Sequence, residues 1–130
     1  MLHGSLLGPK HGSLGKCEKP CTAGIMYFYG NEKAMKGFRT GKFEDGSVIA
    51  DEVIEIQGNE RGDGKEGARR GIGVMVKHSR RYASTGGWGY GKFGADSKVE
   101  NSTVAERKAC FSCHEGKKDR DYVFTEYRER

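Results

Sequence analysis

The chain has 130 residues, with 23 basic and 18 acidic side chains and a formal net charge of +5. That length is one domain's worth, and no stretch approaches the roughly 20 apolar residues of a membrane-spanning helix. Twenty-one glycines beside only two prolines and a full set of aromatics exclude a collagen or a disordered tail. They also argue against an all-helical bundle, since each interior helical Gly costs about 1 kcal/mol relative to Ala. The charges are interspersed, and no basic run carries the interleaved aromatics of a nucleic-acid stacking platform. The positive balance leaves room for an acidic redox partner steered at long range.

In chain order, residues 1–24 read as an irregular segment, with five glycines, both prolines and the pair Cys17 and Cys21. Residues 25–130 read as one domain. Residues 25–29 are β-branched and aromatic, a strand. Asn31 caps a helix over 32–39 that stops at Gly41. A turn at 44–46 leads into 47–57, the clearest strand, with Ile49, Asp51 and Val53 on one face. Residues 58–70 are polar and Gly-rich and read as a long loop. Residues 71–77 alternate as a strand, 79–83 suit one helical turn, and 86–93 set Trp88 and Tyr90 opposite a smooth glycine face. Thr103 with Glu106 forms a capping box. Its helix is expected to run through His114 and stop at Gly116, before a last strand over 121–127. The fold class is α+β: mainly antiparallel sheet, a C-terminal helix that bears the chemistry, and one or two short helices.

The chemistry concentrates in Cys-Phe-Ser-Cys-His at 110–114. On a helix, Cys110, Cys113 and His114 stand at i, i+3 and i+4 and project together. Two thiols can then bond the two vinyls of a haem while the imidazole ligates its iron, the pattern of covalent c-type attachment. The alternatives are a zinc site completed by Cys17 and Cys21, or a redox dithiol. Cys17 and Cys21 lack a following His, so they are not a second haem motif, and a small-loop disulfide is the plain reading. Attachment of this kind occurs outside the cytoplasm. The expectation is therefore a periplasmic protein whose signal peptide is not in this chain, because residues 1–16 hold no apolar h-region. The period-2 runs at 47–57 and 71–77 exclude a four-helix cytochrome. His3, His11 and His78 read as surface residues, and Trp88 and Phe124 as packing beside the haem helix.

Several segments are similar to the cytochrome P-460 family and the related cytochromes c′-beta. They are Lys108–His114 followed by Asp121–Thr125, Gly71–Lys77 followed by Tyr82–Gly89, and Asn31–Gly46 ending in Phe-Glu-Asp-Gly. The resemblance spans about residues 25–127. It implies a mostly antiparallel β fold, a homodimer, and one high-spin haem held by His114 with an open distal side. Cytochromes P-460 oxidise hydroxylamine; cytochromes c′-beta bind nitric oxide and carbon monoxide. By the same resemblance the distal groups come from the strands, giving Met26, Phe28, Asp51, Gly73 and Met75. The family's porphyrin-cross-linking Lys falls at Asp51, its distal acid near Gly73 and a distal Arg near Met26. With these features replaced, binding of small nitrogen species such as nitric oxide is favoured over turnover. Asp51 then stands as the distal acid. Hydroxylamine oxidation is the enzyme alternative, and a low-spin electron carrier, with Met26 or Met75 as second ligand, is the third.

Overall fold

The computed structural model describes residues 3–7, 23–57 and 65–124. Five strands form one sheet in sequence order, every neighbouring pair antiparallel. They are β1 (His3–Leu7), β2 (Ala23–Gly30), β3 (Val48–Gln57), β4 (Lys65–Lys77) and β5 (Trp88–Gly94). Helix α1 (Glu32–Thr40) links β2 to β3, and helix α2 (Val104–His114) follows β5. The architecture is α+β.

The helix boundaries follow from local chemistry. The Asn31 side chain accepts a hydrogen bond from Ala34 N at 2.9 Å, satisfying one orphan donor of the first turn. Gly41 ends α1 at φ 79°, a left-handed geometry that carries no Cβ penalty in glycine. Thr103 and Glu106 cap α2 reciprocally.

Residues directly opposite one another in an antiparallel ladder point to the same side of the sheet. One rung is Phe28, Asp51, Gly73 and Lys92; the next is Gly30, Ile49, Met75 and Tyr90. Met26, Val53, Gly71 and Gly94 form the rung on the other side of the first. The core lies on this face: Ala34 of α1, Phe43, Ile49, Trp88 and Val123 are buried together, with Phe38, Met75, Tyr90 and Tyr122 packed against them. The opposite face carries Val48, Ala50, Ile72, Val74 and Val76, all half-buried. There the ring of Tyr82 lies over Gly89, where an added Cβ would meet it at 2.4 Å. This is the close approach that a smooth glycine face permits.

Four expectations are corrected. His3–Leu7, in the segment read as irregular, forms edge strand β1 against β2. Residues 65–70, read as loop, extend β4. Gly116 does not stop the haem-motif helix: a 3-10 stretch follows over Glu115–Arg120, and the chain reverses at Asp121. Residues 121–124 are not a strand, and Asp121 and Tyr122 have φ of 52° and 63°. The rest of the expected last strand, 125–127, lies outside the described residues, as do His11, Cys17 and Cys21. Trp88 is fully buried as expected, but Phe124 is 45% exposed and lies outside the buried cluster. His78 is exposed, and its Nδ1 accepts from Arg81 N. Among the described residues no helix is long and apolar enough to cross a membrane.

Candidate functional site

Helix α2 puts Cys110, Cys113 and His114 on one stripe, as the i, i+3, i+4 spacing requires. Both thiols are free of disulfides. Cys110 is half-buried and Cys113 exposed. Burial pushes the Cys110 thiol up from its ordinary value; Lys92 opposes this, and Asp51 adds to it. The thiol therefore sits within electrostatic reach of the Phe28–Asp51–Gly73–Lys92 rung.

His114 is held on several sides. Its ring lies 5.2 Å from Tyr90 and 4.8 Å, edge-on, from Phe124. Its Nδ1 is 2.6 Å from the carbonyl oxygen of Tyr122. A carbonyl only accepts, so Nδ1 carries the hydrogen and the neutral ring keeps its lone pair on Nε2. Burial lowers the imidazole below its ordinary value, opposed by the Tyr122 carbonyl and the Asp51 carboxylate. The tautomer and the charge state both suit a metal ligand.

The five distal positions expected from sequence share one sheet face. Phe28, Asp51 and Gly73 are direct partners across three strands, with Met26 one rung away on one side and Met75 one rung away on the other. The Asp51 carboxylate lies across Gly73: a Cβ there would meet Oδ2 at 2.5 Å, and Gly73 N donates to Oδ1 at 3.3 Å. Met75 packs against the buried cluster, which makes it a wall residue of this face.

Sequence reasoning passed over three residues of the site. Tyr90 has the one buried side-chain oxygen without a hydrogen-bond partner among the described residues. Burial above all, then the nearby Cys110 and Tyr122, holds its phenol protonated well above its ordinary value. Lys77 and Asp121 form an ion pair of 2.7 Å in which both side chains are largely buried. The signal for Lys77 was present: period 2 puts it on the same face as Gly73 and Met75, an inward charge that needs a partner.

These features fit a haem. The orphaned Tyr90 hydroxyl is a donor awaiting an acceptor beside the imidazole. Cys110 and Cys113 are the thiols that would hold the porphyrin edge, and His114 Nε2 is the donor that would hold its iron. A cavity of about 730 Å³ runs between Val74, Val76 and Phe93 of the opposite sheet face and Val104 and Phe111 of α2, and Tyr90 and Trp88 also line it. Neither Cys110, Cys113 nor His114 lines it.

An antiparallel sheet backing a Cys-x-x-Cys-His helix, with its imidazole in the metal-ready tautomer, defines a haem cytochrome. The family model for Cytochrome P460 matches residues 11–125, most of the chain, and the chain belongs to that family. No curated protein matches it.

Proposed function

We propose that this is a periplasmic, mono-haem c-type cytochrome of the P-460/c′-beta type that binds small nitrogen species such as nitric oxide on an open distal side. In this reading Cys110 and Cys113 form the two thioethers, and His114 is the proximal ligand. Met26, Phe28, Asp51, Gly73 and Met75 line the distal side. The observation that carries the reading is His114: it shares a helix stripe with both thiols, and its Nδ1–H is committed to the Tyr122 carbonyl, leaving Nε2 for iron. When bound, the haem supplies an iron with one coordination position open to a small ligand.

The chain's own residues do the rest. Tyr122 O fixes the imidazole plane. Phe28, Met26 and Met75 give the sheet face apolar bulk that favours neutral diatomic molecules over water and anions. Asp51 is the single carboxylate among the five distal positions and is suited to hold a proton near a bound ligand. Asp51 occupies the position of the family's cross-linking Lys and cannot form that amine bond, which favours binding over hydroxylamine oxidation. A homodimer and an acidic redox partner complete the reading. They rest on the family and on the positive charge.

The test is the optical spectrum of the protein recovered from an exporting host. A c-type pyridine haemochrome with a five-coordinate, high-spin ferrous form that takes up nitric oxide is expected. A sharp low-spin band would overturn the reading in favour of electron transfer, with Met26 or Met75 as second ligand. The red-shifted ferrous band of a cross-linked porphyrin would favour hydroxylamine oxidation. Phe28→Ala is expected to speed carbon monoxide entry, and Asp51→Asn to leave that entry unchanged while slowing any proton-coupled step.

A further inference from the structure

We propose that the Lys77–Asp121 ion pair is a positioning device for His114, acting through the backbone carbonyl of Tyr122. The inference rests on the reading of His114 as the iron ligand.

After α2 and its 3-10 extension the chain reverses through two consecutive left-handed residues, Asp121 at φ 52° and Tyr122 at φ 63°. Neither is glycine, and for an L-residue this conformation costs roughly 1–2 kcal/mol. Such a bend persists only where its surroundings over-determine it.

Contacts from three distant segments converge on Asp121. Lys77 Nζ donates to Oδ1 at 2.7 Å from the end of β4. Phe43 N donates to Oδ2 at 3.0 Å. Trp88 Nε1 donates to the Asp121 carbonyl at 2.9 Å from the start of β5. Lys77 is itself fixed, with Nζ 5.1 Å from the Trp88 ring centre and 3.4 Å from the Gly86 carbonyl. Closer to the bend, Tyr122 N donates to Lys117 O at 2.8 Å. The next group along the chain is the Tyr122 carbonyl, which accepts from His114 Nδ1 at 2.6 Å.

Removing one partner from a largely buried ion pair leaves an uncompensated charge that the structure must move to hydrate. Movement of Asp121 moves the Tyr122 oxygen. The hydrogen bond to Nδ1–H sets the ring's orientation and raises the basicity of Nε2. A longer bond makes Nε2 a poorer donor, which weakens its hold on iron and stabilises the ferric form less.

The experiment uses the haem-loaded protein. Lys77→Met keeps the buried stem and drops the charge. Asp121→Asn keeps a residue tolerant of the left-handed bend and an oxygen for Phe43 N, and replaces the charged oxygen that Lys77 pairs with by an amide NH2. The iron–imidazole stretch of the ferrous protein, read by resonance Raman, is expected to fall in both variants. The reduction potential is expected to rise in Asp121→Asn, where the lost negative charge acts in the same sense; in Lys77→Met the lost positive charge opposes the rise, so the stretch decides there. Lys77→Arg is expected to return both values towards wild type. Folded, haem-loaded variants with the wild-type stretch and potential would overturn the proposal. If Lys77→Met does not fold, Asp121→Asn decides by the same criterion. Failure of the underlying reading looks different: the wild-type ferrous protein would itself show no iron–imidazole stretch.

Discussion

The two helices of this molecule are similar in length and equally well capped, yet they are held in place by different means. Helix α1 buries Ala34 and Gly37 against the sheet, and its Phe38 packs edge-on against Phe43 at 5.2 Å. Helix α2 buries no residue. It is held by half-buried ring contacts, Phe111 and His114 beside Tyr90, and by its ends: the Thr103–Glu106 box and the Glu100–Arg107 pair of 2.7 Å at its start, and the bend at Asp121–Tyr122 after it. A helix that spends its apolar face on the core has none to offer a prosthetic group. Fixing α2 at its ends leaves the Cys110, Cys113 and His114 stripe open for chemistry.

The change that should break this contrast most severely is Trp88→Ala. Trp88 is fully buried, touches Phe43 on the α1 side at 5.5 Å, and donates to Asp121 on the α2 side. It serves both helices at once. Its removal should cost about 3–5 kcal/mol in chemical denaturation, as large aromatic truncations do. A loss under about 1 kcal/mol, within the range of ordinary surface changes, would show that the two helices do not share this support.

A pair of opposite exchanges sharpens the contrast at smaller effect. In α1, Gly37→Ala would gain about 1 kcal/mol from helix propensity alone. However, the new Cβ meets the Phe43 ring at 2.2–2.6 Å. That ring is only 6% exposed and is clamped by Phe38 and Trp88, so it cannot yield. The overpacking cost of about 1–3 kcal/mol should win, giving net destabilisation. In α2, exposed Ala109→Gly meets no packing and should follow propensity, losing about 1 kcal/mol. Two denaturation curves check both signs.

The finest difference lies within α2 itself. In haem-free chain, alkylation of Cys113 should outpace that of Cys110. Cys113 is exposed, whereas Cys110 is half-buried with its thiol pushed up by burial. The thiolate is the nucleophile, so a raised value means a smaller reactive fraction at a given pH. The rate gap should narrow as pH rises towards the Cys110 value. Mass-resolved labelling between pH 7 and about pH 10 reads it, and equal rates throughout would contradict the assigned burial.

What could be read from sequence was what short-range chemistry decides. Asn31, Gly41 and the Thr103–Glu106 box each act within one helical turn, so their residue types state their function. The alternation around Asp51 also carried through to a shared face with Phe28 and Gly73. What was missed depends on partners far along the chain. Residues 65–70 look like loop because they are charged and Gly-rich. They pair as strand because Arg69 meets Glu52 at 2.7 Å, Arg70 approaches Glu55 at 3.8 Å, and Tyr27 donates to Glu66. Residues 121–124 have strand-like composition, but Lys77, Phe43 and Trp88 hold Asp121 in a left-handed bend that no local propensity encodes. The orphaned hydroxyl of Tyr90 was likewise invisible, since nothing in a sequence states which oxygen lacks a partner.

The contact between Asp51 and Gly73 makes the two positions interdependent. Because the carboxylate lies over Gly73, a side chain at 73 would have to displace it. As the sheet stands, the space over Gly73 is filled by the acid from β3, and an acid supplied from β4 would require the Asp51 side chain to turn away. Exchanging the pair, with glycine at 51 and aspartate at 73, would shift the acid sideways by one strand spacing of about 4.8 Å while conserving composition and charge. The side chains at 51 and 73 thus share one space on the rung, and homologous chains that enlarge residue 73 should be found to change residue 51 with it.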